Sequence, residues 1–183
     1  KGKIVIRDPK SAGGGLAAFT FYYTTDSLGK DFVQKLLAND PVISLDDRQI
    51  LDWVAKGQYP IAIGPSNVLT NDFIARGLPV KMMDSSNLAE GAYVTAGNGS
   101  LAIVRNPPHP NALKDFMDWW MSKEAQTDWT KAIGFASLRT DVPTDNVDPL
   151  NVPKPNVTYQ NNHSETYVKL REEIVAYIKS ISP

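Results

Sequence analysis

The sequence predicts an α/β fold, an open sheet with helices on both faces, and three observations carry that prediction. Short β-branched runs alternate with segments of helical period over residues 1 to about 83. Glycine, proline or serine marks the junctions between them. The composition, 42 % hydrophobic and 21 % charged, is that of an ordinary globular chain able to bury a core.

The elements follow in order. Ile4-Val5-Ile6 reads as a buried strand that Asp8-Pro9 ends. After the turn Ser11-Ala12-Gly13-Gly14-Gly15, the residues Leu16, Phe19 and Tyr23 recur at helical spacing. Phe32, Val33, Leu36 and Leu37 mark a second helix, which Asn39-Asp40-Pro41 stops. Val42-Ile43 is a minimal strand. Asp46 then caps a helix with Gln49 placed to complete a capping box, and Gly57 closes it. Pro60 to Gly64 is another buried strand, and Ser66 opens a helix that runs to Gly77.

Leu78 to Met83 is extended, and Tyr93-Val94-Thr95 and Leu101-Ala102-Ile103-Val104 read as strands. Pro110 suits the first turn of a helix with a heavy apolar face from Leu113 to Met121. Ser122 caps a further helix that ends at Gly134. Residues 141 to 162 lack a period and read as a connector. Ser164 caps a last helix with Tyr167, Leu170, Ile174 and Ile178 on one face.

Several function classes are excluded at once. A net charge of -1 gives no broad basic field for nucleic acid. The chain has no cysteine, so it holds no disulfide, thiol nucleophile or thiolate metal site. Two histidines, His109 and His163, do not make a histidine-rich metal site. No apolar run reaches membrane-spanning length. No Ser-His-Asp set or carboxylate pair stands out, so no catalytic residue is assigned and the chain reads as non-enzymatic. Neither the Walker pattern nor the dinucleotide fingerprint is present, and no cofactor is expected. The start, Lys1-Gly2-Lys3, has no initiator Met or leader pattern and reads as cut from something longer.

Two loops are candidates for binding. Ser11, Ala12, Gly13 and Gly14 follow a strand and open a helix, so backbone N–H groups and the partial positive charge of the helix end face one spot. That arrangement suits a carboxylate, phosphate or sulfonate, and the plain alternative is a tight turn with no ligand. Gly64-Pro65-Ser66-Asn67 has the same layout, with Ser66 and Asn67 as ligand-binding candidates or Ser66 as a helix cap alone. Two such loops on neighbouring strands face the crevice where open α/β sheets bind ligands. The aromatics Tyr22, Tyr23, Trp53, Trp119, Trp120 and Trp129 read mainly as core or lobe packing. His109, Asp46, Asp47, Asp115 and Asp118 read as caps or solvated groups, and the sequons at Asn98, Asn156 and Asn162 as chance matches.

Lys56-Gly57-Gln58-Tyr59-Pro60, His109-Pro110-Asn111-Ala112, Phe116, Trp119 and Ser122-Lys123-Glu124-Ala125-Gln126 form an ordered set with Gly2 to Pro9 and Ser11 to Gly14. Glu90-Gly91 and Leu138-Arg139 extend it. In combination the set resembles the ferric-ion-type periplasmic solute-binding proteins of ABC importers. The resemblance implies a type II periplasmic-binding-protein lobe, truncated relative to the two-lobed family fold. Residues 1–85 plus about 146–183 would be the second lobe. Residues 86–145 would return to the first lobe, whose amino-terminal part is absent. It further implies an extracytoplasmic protein, periplasmic or extracellular with or without a membrane anchor. Such a protein holds a small polar or anionic solute in an interlobe cleft and serves ABC transporter membrane subunits. The rival reading is a ligand-sensing domain of a regulator on the same fold. The uncovered face of the Leu113 to Ile133 helices predicts self-association or pairing. The iron-binding members bring adjacent tyrosines after the strand that here ends at Gly64. Pro65-Ser66-Asn67 stands there instead, and Tyr22-Tyr23 lies inside a predicted helix, so ferric iron is not expected.

Overall fold

The computed structural model describes residues 1–94 and 101–182. The central strand β1 (Ile4–Arg7) pairs in parallel with β2 (Val42–Ser44) on one side and β3 (Ile61–Ile63) on the other, giving the order β2-β1-β3. Successive residues of a strand point to opposite faces, and Val5 and Ile6 are both fully buried, so both faces of β1 are covered. On the Ile6 face lie α1 (Gly14–Thr24), α2 (Gly29–Leu37) and α7 (Glu165–Ile181). Their Leu16, Phe19, Val33, Leu36, Ile174 and Ile178 close one core around Ile6. On the Val5 face, α3 (Asp47–Ala55) packs over the sheet with Ile50 and Leu51 buried, and α4 (Asn67–Ala75) packs on α3 with Phe73 buried.

The helix ends follow from local chemistry. The Asp46 carboxylate accepts from the N–H groups of Arg48 and Gln49 at 2.9 and 3.1 Å. The expected return arm of the capping box is not made by Gln49. Ser44 Oγ, at the end of β2, takes the Asp46 N–H at 3.1 Å and donates to Gln49 Oε1 at 3.2 Å. Ser164 occupies the cap position of α7 but makes no capping hydrogen bond there.

A second, two-stranded parallel sheet joins β4 (Ala92–Val94) to β5 (Tyr159–Asn161). Sequence reading took residues 141–162 for a connector throughout. The strand escaped it because Tyr159-Gln160-Asn161 is short, polar and paired only to a distant segment. Behind it Asn162 is fully buried: its Nδ2 donates to Ala17 O at 2.8 Å and its Oδ1 accepts from Gln160 at 2.7 Å. Leu101–Val104, expected as a strand, is not one. Leu101, Ile103 and Val104 are exposed, and strand composition without a neighbour to bond among the described residues does not make a sheet. Thr95 and the turn 96–100 lie outside the described residues.

Two compact units are present: Lys1–Asn98 with Val157–Pro183, and Gly99–Asn156. The second unit holds α5 (Pro110–Trp120) and α6 (Lys123–Ile133), with Pro110 in the first turn of α5 and left-handed Gly134 after α6. Ser122 caps α6 by accepting from Ala125 N at 3.2 Å. Phe116, Trp119, Trp120 and Trp129 form a chain of ring contacts between 5.1 and 6.1 Å. Arg139 ties the end of α5 down, donating to Met121 O at 2.9 Å and pairing with Asp141 at 2.8 Å. That hydrogen bond holds the Asp141 carboxyl below its usual range.

Candidate functional site

Three helices begin at the carboxyl edge of the first sheet. After β1 the chain runs through α1 and α2, on the Ile6 face, to β2 at one edge. After β2 it crosses the other face through α3 to β3 at the opposite edge. The loops that follow the adjacent strands β1 and β3 therefore lead to helices on opposite faces. That is the topological switch point of an open parallel sheet, the place at which sheets of this class bind their ligands.

The two loops predicted as sites meet there. A Cβ placed on Gly14 would lie 2.2 Å from the carbonyl oxygen of Gly64, and one on Gly64 would lie 2.5 Å from the amide nitrogen of Gly15. Only two glycines allow backbones to touch in this way. Gly15 is similarly required, because its Cβ would fall 1.9 Å from Arg7 O at the end of β1. The glycine run thus seats α1 directly on the ends of β1 and β3.

The predicted residues have separate fates around this contact. Gly13 is the cap residue of α1 and, with no side chain, leaves the first N–H groups of that helix without a capping hydrogen bond. Gly13 and Ala12 are exposed, and Gly14 is half-buried. Ser11 turns inward: its hydroxyl donates to Asp8 Oδ2 at 3.3 Å, while Asp8 Oδ1 accepts from Lys10 N at 2.9 Å. Ser66 Oγ accepts from Leu69 N at 3.5 Å, a long cap. Asn67 is exposed at the first turn of α4. The alternative roles, helix cap for Ser66 and internal turn for Ser11, are thus visible in the hydrogen bonds.

Arg7 was not among the predicted site residues. It ends β1 directly below the glycine loop, and a Cβ on Gly13 would lie 3.9 Å from its Nη2. Its Nε lies 3.0 Å from Asp47 Oδ1, in the first turn of α3. That pair has no well-aimed hydrogen bond, and Arg7 Nη1 is buried with no hydrogen-bond partner among the described residues. Such a group costs about 1–3 kcal/mol or more when charged. The available signal was a cation closing an otherwise apolar central strand.

Other candidates do not form a site. Tyr22 is packed edge-on against Phe32 at 5.1 Å, and burial raises its phenol above the usual value. Tyr23 points elsewhere, donating to Glu173 at 2.5 Å. The adjacent tyrosines therefore diverge. His109 precedes α5 without a capping hydrogen bond. Among the described residues no group of three His, Cys, Asp or Glu side chains is placed to hold a metal ion, and no helix is long and apolar enough to cross a membrane.

The sequence profile of the bacterial extracellular solute-binding proteins matches residues 2–127, a span that contains both loops and the whole first sheet. No curated protein and no solved structure matches the chain significantly. Proteins of that family are non-enzymatic; they bind a solute outside the cytoplasm and serve the membrane components of ABC transport. With most of its length inside the profile and both glycine- and serine-lined loops joined at the sheet's switch point, this chain belongs to the bacterial extracellular solute-binding protein family.

Proposed function

We propose that the chain captures a small polar or anionic solute at the crevice between the Ser11–Gly14 loop and the Gly64–Asn67 loop. The observation that supports this most is the backbone contact of Gly14 with Gly64, which puts two helix starts side by side. The N–H groups that open α1 would bind the solute's charged end, and Ser66 and Asn67 would bind its polar atoms. Ser11 and Ala12 would shape the loop from its outer side.

The motif resemblance supports a ferric-ion-type ancestry and a type II fold. On that reading residues 1–85 with about 146–183 are the second lobe, and 86–145 is the part that returns to the first. The crevice is then one wall of an interlobe cleft, and lobe closure reports occupancy to the importer. The diverging Tyr22 and Tyr23 argue for an organic or oxyanionic solute in place of iron. Phe116, Trp119 and Met121, which are 44, 53 and 56 % exposed, support self-association through the second unit.

Native mass spectrometry of protein purified from its source cell tests the reading. The expected result is a small polar or acidic molecule bound in equimolar amount and released on unfolding. Protein that carries none, and that no polar or acidic solute in a broad panel stabilises against heat, would refute it.

A further inference from the structure

We infer that Arg7 is the ligand-facing cation of this site and that it selects a singly charged oxyanion, of the carboxylate class, over a doubly charged one. The inference rests on the proposed site and adds a residue and a charge rule to it.

The Arg7 side chain is 18 % exposed, and its guanidinium is held beneath the glycine loop at the carboxyl end of the central strand. Asp47 Oδ1 lies 3.0 Å from Nε without a well-aimed hydrogen bond, and the edge of the group that carries Nε and Nη2 lies beside Gly13. Nη1 is buried and unpartnered, and Nη2 lies beside Gly13, where no side chain stands in the way. An oxyanion seated on the uncapped start of α1 therefore meets Nη2, while Nη1 stays enclosed by protein. Arginine suits this role because its planar fork stays charged and directional when partly buried.

The charge rule follows from what else is near. Asp47 offsets the formal charge of Arg7, and the Asp8 carboxylate, bonded to Lys10 N and Ser11 Oγ, is offset by the exposed Lys10 ammonium of the same loop. What remains for the ligand is the partial charge of the helix end, roughly half an elementary charge. One negative charge is matched by that arrangement, whereas a second would go unmatched.

The test is nuclear magnetic resonance of the isotope-labelled 183-residue chain, titrated with acetate and with sulfate at matched ionic strength. The expected result is that the Arg7 Nε–H signal and the Gly13 and Gly14 amides move together along one saturable acetate curve. Sulfate should bind about fivefold more weakly or worse. Arg7→Gln should weaken acetate about tenfold or more, the loss of one charge-assisted hydrogen bond. If Arg7→Gln does not fold, Arg7→Lys and the wild-type Nε–H signal decide, because a merely structural arginine would not report acetate. Glycine amides that saturate while the Nε–H signal stays still, or equally in Arg7→Gln, overturn the role of Arg7 and leave the site standing. Sulfate binding as tight as acetate overturns the charge rule. Loop amides that respond to neither anion overturn the proposed site together with the inference.

Discussion

Gly14→Ala isolates the contact that joins the two loops. Gly14 has helical backbone angles, so an alanine there is not strained by its own conformation, and in an open helix start it would help slightly. The new Cβ, however, would stand 2.2 Å from Gly64 O, whereas an ordinary contact begins at 3.4 Å, so helix and loop must part by 3.4 − 2.2 = 1.2 Å. Both sides are backbone, and neither can turn aside as a side chain would. Overpacking of this kind costs about 1–3 kcal/mol, and we expect about 2 kcal/mol. With a urea slope of about 2 kcal/mol/M, the unfolding midpoint followed by circular dichroism should fall by about 1 M. Gly57→Ala is the control: nothing lies within 4 Å of its Cβ, and its φ of +71° alone should cost about 1 kcal/mol. A Gly14→Ala midpoint equal to or above wild type would refute the reasoning, because helix propensity would then outweigh a clash that does not exist.

Three further outcomes are expected. Asn162→Ala removes a fully buried amide bonded to Ala17 O and Gln160, and should lose about 2–3 kcal/mol in the same urea assay; a loss under about 1 kcal/mol would show that the amide is not needed there. Asp46→Ala frees the N–H groups of Arg48 and Gln49 and should lower the melting temperature by about 2–4 °C, equivalent to about 1 kcal/mol; an unchanged melt would contradict the cap. Burial first, and Tyr22 second, push the Tyr93 phenol far above its ordinary 10.0. The unfolded chain releases that proton near pH 10 while the folded chain keeps it, so its contribution is whole below pH 10 and declines as pH rises beyond. Urea unfolding across that range should show Tyr93→Phe losing less stability per pH step than wild type, and identical slopes would contradict the burial.

Much of the first sheet was legible because local chemistry and tertiary structure agree there. Ile4 to Ile6 and Ile61 to Ile63 are apolar and bounded by turn residues; β1 is covered on both faces, whereas β3, expected to be buried, is an edge strand that leaves Ile61 45 % exposed. Asp46, Ser66, Ser122 and Pro110 announce helix starts by mechanisms that act within a few residues. The errors lie where partners are distant. Leu101–Val104 has the residues of a strand but no strand beside it among the described residues, and Tyr159–Asn161 has few of them yet pairs with Ala92–Val94. Gln49 stood at the right spacing for its capping role, but Ser44, brought in by the end of β2, took the bond.

The same division runs through the site. Each loop could be read from its own glycines or serine. Their placement on neighbouring strands was expected from the fold class, but the backbone contact of Gly14 with Gly64 could not be read, since it depends on the strand order β2-β1-β3, which no short window of sequence contains. Arg7 was passed over because a charged residue after Ile6 reads as the end of a strand. Its meaning depends on Gly13 and Asp47, which approach it only in the folded chain.

Hydrogen–deuterium exchange at single-residue resolution, with and without saturating amounts of the solute that the native protein carries, bears most directly on the convergence of the two loops. Amides of residues 12–16 and of 64–69 should both slow in the bound state, by similar factors and at the same solute concentration. Slowing confined to one of the two segments, or found only within Pro110–Ile133, would contradict a single pocket at the head of the first sheet.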